Sequence, residues 1–304
     1  MPAPRRILVL VNPAAGRGRA HRFIPAIASL FQKHGVAAEF ISPQNATELA
    51  MQATLGAAHH DAILVMGGDG TFQHVARSTL GSGTPLGILP VGGGNDVAAA
   101  LGIPKDPIAA AATFLGGTPR PMDVFRAQFS HGRAAVYLGG GGIGLDAAAA
   151  RLASGRFSHW PGAARYFASA LSAMVGFVAP VVEVELDGTH ILAHAEPMLL
   201  AVVTNTPTYG AGIRIAPEAK IDDGLLDVTL VGDLNWTRVL EAFPVLLRTG
   251  DLRWPEVKRF RGRRVVLRTQ RPAPFHGDGE ILGETPVEIS VLPGAINVIA
   301  PKQR

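Results

Sequence analysis

DAILVMGGDG, residues 61–70, followed by Thr71, is the stretch whose reading decides the fold. Residues 62–66 are apolar without alternation, the pattern of a strand buried on both faces of a parallel sheet. Two glycines, an aspartate and a third glycine then arrive together. Gly67, Gly68 and Gly70 carry no Cβ, so backbone N–H groups can come close to a ligand, and Asp69 places one carboxylate among them. That combination suits phosphates with a divalent cation. A tight turn from strand to helix would use the same residues, and the surrounding chain has to separate the two readings.

Working outward, residues 7–11 read as a buried strand and 12–18 (NPAAGRG) as a turn. Residues 19–34 follow as a helix with Ile24, Ile27, Ala28 and Phe31 on one face. Strand 36–41 and helix 46–58 precede the opening stretch; helix 72–80, strand 86–89 and a second glycine-rich turn, 90–96 (PVGGGND), follow it. Alternating strand and helix predicts a parallel sheet wrapped by helices, with ligands beyond the carboxyl ends of the strands. The turns 12–18, 67–71 and 90–96 are then candidates for one crevice. Asn95 and Asp96 precede a short apolar helix, 97–101, which they can also cap.

Near 117–123 the pattern changes. Extended segments at 123–129, 133–138, 181–186, 190–195, 198–204 and 225–231 outnumber helices at 146–153, 162–177 and 236–247. A run of strands after an alternating half predicts a second, antiparallel domain. The expected division is an α/β domain over 1–123, to which a tail at about 293–304 returns, and a β-rich domain over 124–292. The cleft between them is the expected place for a small-molecule site.

Composition narrows the chemistry. The 304 residues, 47% hydrophobic and 17% charged, supply enough apolar material for two cores. There is no cysteine, which removes disulfides, thiolate metal sites and thiol nucleophiles. No His-Glu-x-x-His occurs, and no lysine follows a glycine, so a zincin helix and a Walker-type P-loop are both excluded. The protein-kinase signatures His-Arg-Asp and Asp-Phe-Gly are missing as well. The apolar run after Arg5 and Arg6 stops at Asn12-Pro13, too early for an export signal. Residues 166–182 are uncharged but broken by Ser169, Ser172, Gly176 and Pro180, and read as a buried or interface helix. The net charge of +4 is concentrated at 248–271, where nine basic residues meet only Asp251 and Glu256. That segment is either the solvated face of a hairpin or a patch for an anionic surface; with little aromatic interleaving, nucleic acid is not the expected partner.

Gly139, Gly141 and Gly144 match a dinucleotide fingerprint, but no acidic residue lies between Asp146 and Glu183 to hold a ribose. Close packing or a substrate cleft is the alternative use of those glycines. Two acidic clusters, KIDDGLLD at 220–227 and HGDGE at 276–280, each contain a turn-forming Asp-Gly.

Taken together, these stretches resemble the diacylglycerol kinase and sphingosine kinase catalytic family, in particular its bacterial lipid kinases. The similar stretches span nearly the whole chain: Asn12-Pro13-x-x-Gly16, Gly67 to Thr71, Gly92-x-Gly94-Asn95-Asp96, Gly144-Leu145-Asp146-Ala147, Ala216-Pro217 to Asp227, and Asp278-Gly279-Glu280. The resemblance implies a phosphofructokinase-like parallel-sheet amino-terminal domain, a carboxyl-terminal antiparallel β-sandwich and a nucleotide in the cleft between them. It implies ATP binding by Asn12, Gly16, Ser42, Gly67, Gly68 and Gly70, and by Thr71, Gly92, Gly94, Asn95 and Asp278. Asp69 would act with Mg²⁺, Asp96 and Asp123 would complete an acidic network around it, and Lys220, Asp223 and Leu225 would form a second Mg²⁺ site. Asp69 or Glu280 would take the proton from the acceptor. Ala15, Gln73-His74 and Gly93 depart from the family's usual Ser, Asn-Glu and Thr, leaving fewer hydroxyls for the nucleotide. The expected activity is phosphate transfer from ATP to a lipid hydroxyl such as that of diacylglycerol, by a cytoplasmic protein meeting its lipid substrate at a membrane surface, with a homodimer left open. The alternatives are an NAD kinase-like enzyme, which shares Gly-Gly-Asp-Gly, or a catalytically silent lipid- or nucleotide-binding module.

Overall fold

The computed structural model of the chain describes residues 6–154, 162–192, 194–210 and 212–302; Arg5 of the amino-terminal basic pair lies outside them. The chain divides into two compact units, Met1–Met122 with Gly294–Arg304, and Asp123–Pro293.

In the first unit β1 (Arg6–Val11), β2 (Ala37–Ile41), β3 (Ala62–Gly67) and β4 (Leu86–Pro90) form a parallel sheet in the order β4-β3-β1-β2. Every residue from Ile7 to Val11 and from Ala62 to Met66 is buried, which is why both strands read as unbroken apolar runs. Helices α1 (Ala15–Gly18), α2 (Ile24–Lys33), α3 (Ala46–His59), α4 (Asp69–Ser78), α5 (Asp96–Ala100) and α6 (Pro107–Gly116) make the connections. The chain steps from β1 to β2 one way and from β3 to β4 the other, so right-handed crossovers send their helices to opposite faces. Accordingly α2 packs with α6, Phe31 meeting Phe114 edge-on at 6.1 Å, while α3 packs with α4. Strand order reverses between β1 and β3, and their carboxyl ends are where such sheets collect ligands.

The helix expected over 19–34 is shorter. Gly16 and Arg17 hold left-handed conformations (φ 59° and 60°), Ala20–Phe23 is a 3₁₀ turn, and α2 begins only at Ile24. Pro25 has no N–H and fits only a first turn, so it fixes the start of α2. The helix expected from Phe72 instead starts at Asp69, which puts the carboxylate into the first turn of α4.

The second unit takes in the end of β5 (Thr118–Phe129), then β6 (Ala134–Tyr137), β7 (Gly140–Gly144), α7 (Leu145–Ser154), α8 (Gly162–Met174), β8 (Val181–Leu186), β9 (Thr189–His190) and β10 (Glu196–Thr204). It continues through β11 (Leu226–Gly232), α9 (Trp236–Arg248), β12 (Val257–Gly262), β13 (Arg264–Thr269), β14 (Pro274–Gly277), β15 (Glu280–Glu284) and the start of β16 (Val287–Ala300). Its ladders are antiparallel: β15-β14-β7-β10-β11-β12 along one run and β8-β13-β16 along another. Val184, Val203, Val228, Val265, Phe275 and Ile289 come from both runs into one core, which Phe125 of β5 and Tyr137 of β6 join. Of the extended segment expected at 190–195, only His190 lies in a strand among the described residues. Among the described residues no helix is long and apolar enough to cross a membrane.

Candidate active site

The second and third of the glycine turns close on each other through Asp69. Its Oδ2 accepts from the Asn95 N–H at 2.6 Å and the Asp96 N–H at 3.1 Å, and its Oδ1 from the Val97 N–H at 3.3 Å. Asp69 therefore caps α5 from 26 residues away, the task the sequence offered to Asn95. Asn95 itself is left-handed (φ 62°); its Nδ2 donates to the Gly92 carbonyl at 2.8 Å, and its Oδ1 is buried without a partner. A buried acceptor left open at a glycine turn fits a ligand that donates to it.

The first turn joins the same place. Asn12 Nδ2 donates to Thr71 Oγ1 at 2.8 Å, and the Asn12 N–H donates to the Met66 carbonyl at 2.9 Å. A Cβ on Gly16 would lie 2.8 Å from the Val91 carbonyl oxygen, so this turn sits against the start of the third. Thr71 folds back over Gly67, whose Cβ would be 2.8 Å from the Thr71 Cβ. A Cβ on Gly70 would meet nothing within 4 Å, so packing does not explain its glycine. Gly93 and Gly94 are exposed in the third turn, and Ser42 follows β2 at the same edge, its carbonyl accepting from Gln44 Nε2.

Gly92 and Gly68 touch backbone to backbone: a Cβ at 92 would fall 2.7 Å from Gly68 Cα. Gly92→Ala is therefore expected to cost about 1–3 kcal/mol, as overpacking does, and denaturant unfolding measures it. Unchanged stability would contradict the contact.

Asp69 is largely buried, and burial is the main reason its carboxyl is pushed up to about 6, with the Asp96 charge adding to the rise. A carboxylate raised by burial and by a neighbouring negative charge is a place a divalent cation would relieve, so Asp69, with Asp96 beside it, fits Mg²⁺ as a hard oxygen donor. Among the described residues no group of three or more His, Cys, Asp or Glu side chains is placed to hold a metal.

The remaining acidic residues lie in the second unit. Asp123 is buried; its Oδ2 accepts from the Gly224 N–H at 2.7 Å, its N–H donates to the Ile221 carbonyl, and Asn205 Nδ2 donates to its carbonyl. It thus anchors the loop that carries Lys220, Asp223 and Leu225. Asp223 Oδ1 accepts from the Leu225 N–H, and its Oδ2 is bound by the Arg261 guanidinium, whose Nε also reaches Asp227 Oδ1 at 3.1 Å. Both Asp223 oxygens are engaged and a cation already bridges the cluster. The other two donors that the resemblance implies for a second Mg²⁺, the Lys220 and Leu225 carbonyls, stand on the same loop.

Asp227 stands directly across from Arg261 in the β11–β12 ladder, yet burial outweighs the guanidinium and pushes its carboxyl up to about 6. Against the ordinary aspartate value of about 3.9, the folded state holds protons between about pH 4 and 6 that the unfolded chain has released. Stability attributable to this group therefore falls as pH rises through that window and is level above it. The advantage of Asp227→Asn over the parent is expected to grow by up to about 3 kcal/mol from pH 4 to 6, read as melting temperature against pH; a constant difference would contradict the shift.

Asp278 and Gly279 are both left-handed (φ 55° and 85°), the two-residue hairpin turn joining β14 to β15. The Asp278 carboxylate accepts from the Leu138 and Gly139 N–H groups at 2.9 and 2.8 Å, clamping the turn to the bend between β6 and β7. Both oxygens are used within the protein. Glu280, the first residue of β15, is exposed. The glycine run itself is explained by packing, since a Cβ at Gly141, Gly142 or Gly144 would lie 2.3–2.6 Å from a carbonyl oxygen of a neighbouring strand.

Sequence reading missed Arg261 as a bridge, placing it with the solvated cations. Much of that basic segment is in fact matched: Lys258 with Glu196, Arg264 with Glu288, Arg268 with Glu185, and Arg259 with the Gly250 carbonyl. The alternation of β11 and β12 was the available signal for the Asp227–Arg261 pair.

Comparisons with known proteins agree on one family. Residues 6–127 match the family model of the diacylglycerol kinase catalytic domain, and residues 140–300 that of the YegS C-terminal NAD kinase beta sandwich-like domain. The chain is 30% identical to a diacylglycerol kinase of Mycobacterium tuberculosis (strain H37Rv), over 98% of this chain and 96% of that protein. It is 28% identical to a diacylglycerol kinase of Bacillus subtilis (strain 168), over 99% and 98% of the two chains. In fold it is similar to the crystal structure of a diacylglycerol kinase from Bacillus anthracis str. Sterne, with a TM-score of 0.75 at 22% identity over 99% of this chain and 98% of that one. With two family models accounting for most of the chain and identity spread end to end, the chain belongs to the diacylglycerol kinase family of lipid kinases.

Proposed function

We propose that this kinase transfers the γ-phosphate of ATP, with Mg²⁺, to the hydroxyl of a lipid alcohol of the diacylglycerol type. The observation that carries the reading is the closure of the three glycine turns around Asp69 at the carboxyl edge of the parallel sheet. There the backbone N–H groups and the open Asn95 Oδ1 would receive the nucleotide. Mg²⁺, held by Asp69 and Asp96, would neutralise charge on the transferring phosphate.

An acceptor hydroxyl must lose its proton as its oxygen bonds to the γ-phosphorus and the bond to the departing ADP breaks. A carboxyl near 6 would suit a base, but both Asp69 oxygens already accept backbone N–H groups. Glu280, exposed beyond the left-handed turn, is the better candidate, and Asp69 would hold the metal while it joins the two turns. The lipid substrate places the enzyme's work at a membrane surface.

Purified protein with γ-labelled ATP and Mg²⁺ should label one or more of diacylglycerol, sphingoid bases, ceramide and phosphatidylglycerol. Label passing to NAD and to none of the lipids would replace this reading with the NAD kinase alternative.

A further inference from the structure

We propose that His276 is a positioning residue: hydrogen-bonded to Asp146 and Tyr209, it holds the strand that delivers Glu280. The inference rests on the reading of Glu280 as the base.

His276 is completely buried, its Nε2 2.8 Å from Asp146 Oδ2 and 2.7 Å from the Tyr209 hydroxyl oxygen. A carboxylate only accepts, so Nε2 carries the proton and donates to Asp146, with the Tyr209 oxygen beside the same nitrogen. Asp146 Oδ1 accepts from the Ala147 N–H at 2.8 Å, so both of its oxygens are placed. The network ties the first turn of α7 and the segment around Tyr209 to β14. β7 is cut away beneath it: a Cβ on Gly142, the ladder partner of His276, would lie 2.8 Å from Asp146 Oδ2, and one on Gly140 would lie 2.9 Å from the Tyr209 ring.

A buried polar cluster is costly to desolvate, and an apolar side chain would fill the space at less cost. What hydrogen bonds add is direction, because they tolerate one arrangement where apolar contact tolerates several. Direction matters at this point, since the β14–β15 pairing slips between Phe275 and His276. Two residues later comes the left-handed turn, and then Glu280. Where β14 ends decides where Glu280 stands, and an error of about 1 Å in a reacting group can cost about 10²-fold in rate.

The test is a double-mutant cycle on the full chain, with residual turnover read by labelled phosphate transfer. His276→Leu and the milder Tyr209→Phe are each expected to lower kcat about 10- to 100-fold with the KM for ATP unchanged. In a Glu280→Gln background neither should change the residual kcat by more than about twofold, because the positioned group is already gone. Wild-type kcat in both single variants, or losses that multiply in the Glu280→Gln background, would overturn the inference; if His276→Leu does not fold, Tyr209→Phe decides alone. An inactive Glu280→Gln with fully active His276→Leu and Tyr209→Phe removes only the positioning role. A fully active Glu280→Gln removes the reading of the base, and this inference with it.

Discussion

Glu280→Gln is expected to lower kcat for lipid phosphorylation by about 10²–10⁴-fold, the usual contribution of a general base. Fold and nucleotide affinity should be nearly unchanged. Glutamine keeps the length and shape of the side chain and removes the charge that accepts a proton. The residue is exposed at the start of β15, and its ladder partner Gly277 is engaged through backbone that the substitution leaves alone. Surface substitutions usually shift stability by less than about 0.5 kcal/mol, so thermal unfolding separates a chemical loss from a structural one. A kcat within twofold of the parent would assign the proton to another group.

Asp69→Asn is expected to do damage of two kinds. Asn presents one acceptor oxygen and an NH₂ group to three backbone donors, so at least one of the Asn95, Asp96 and Val97 N–H groups loses its partner. Helix α5 then loses much of its cap, at a cost of about 1–2 kcal/mol. The variant also lacks the negative charge that would hold Mg²⁺, and losing such electrostatic help typically costs about 10²–10³-fold in kcat. Calorimetric titration with ATP·Mg²⁺ should show weakened binding, unlike Glu280→Gln. Full activity with normal nucleotide affinity would remove Asp69 from the site.

What the sequence revealed and what it hid divide along chain distance. The strand at 62–66, the alternation around it and the sheet-edge position of the three glycine turns follow from local pattern, and the parallel ladders reproduce them. The start of α2 was legible too, since Pro25 marks it, but the apolar face running back from Phe31 outweighed that signal. Hidden were the contacts that join distant segments. Asp278 clamps Leu138 and Gly139 from 140 and 139 residues away, and His276 meets Asp146 across 130. Such partners are set by how strands order in the sheet, which one-dimensional periodicity does not encode. Glycines were ambiguous for the same reason. Gly92 and Gly142 are needed because another part of the chain comes within 3 Å of where a Cβ would stand, and only the folded structure tells them from Gly70, which packing leaves open.

The most direct measurement is the transfer of label from γ-labelled ATP to diacylglycerol in vesicles by the purified chain, with Mg²⁺ and with a chelator in its place. Label in the extracted lipid that depends on Mg²⁺, and that falls at least about 10²-fold in Glu280→Gln, is the expected result. Well-folded protein that labels no lipid alcohol under these conditions would contradict it.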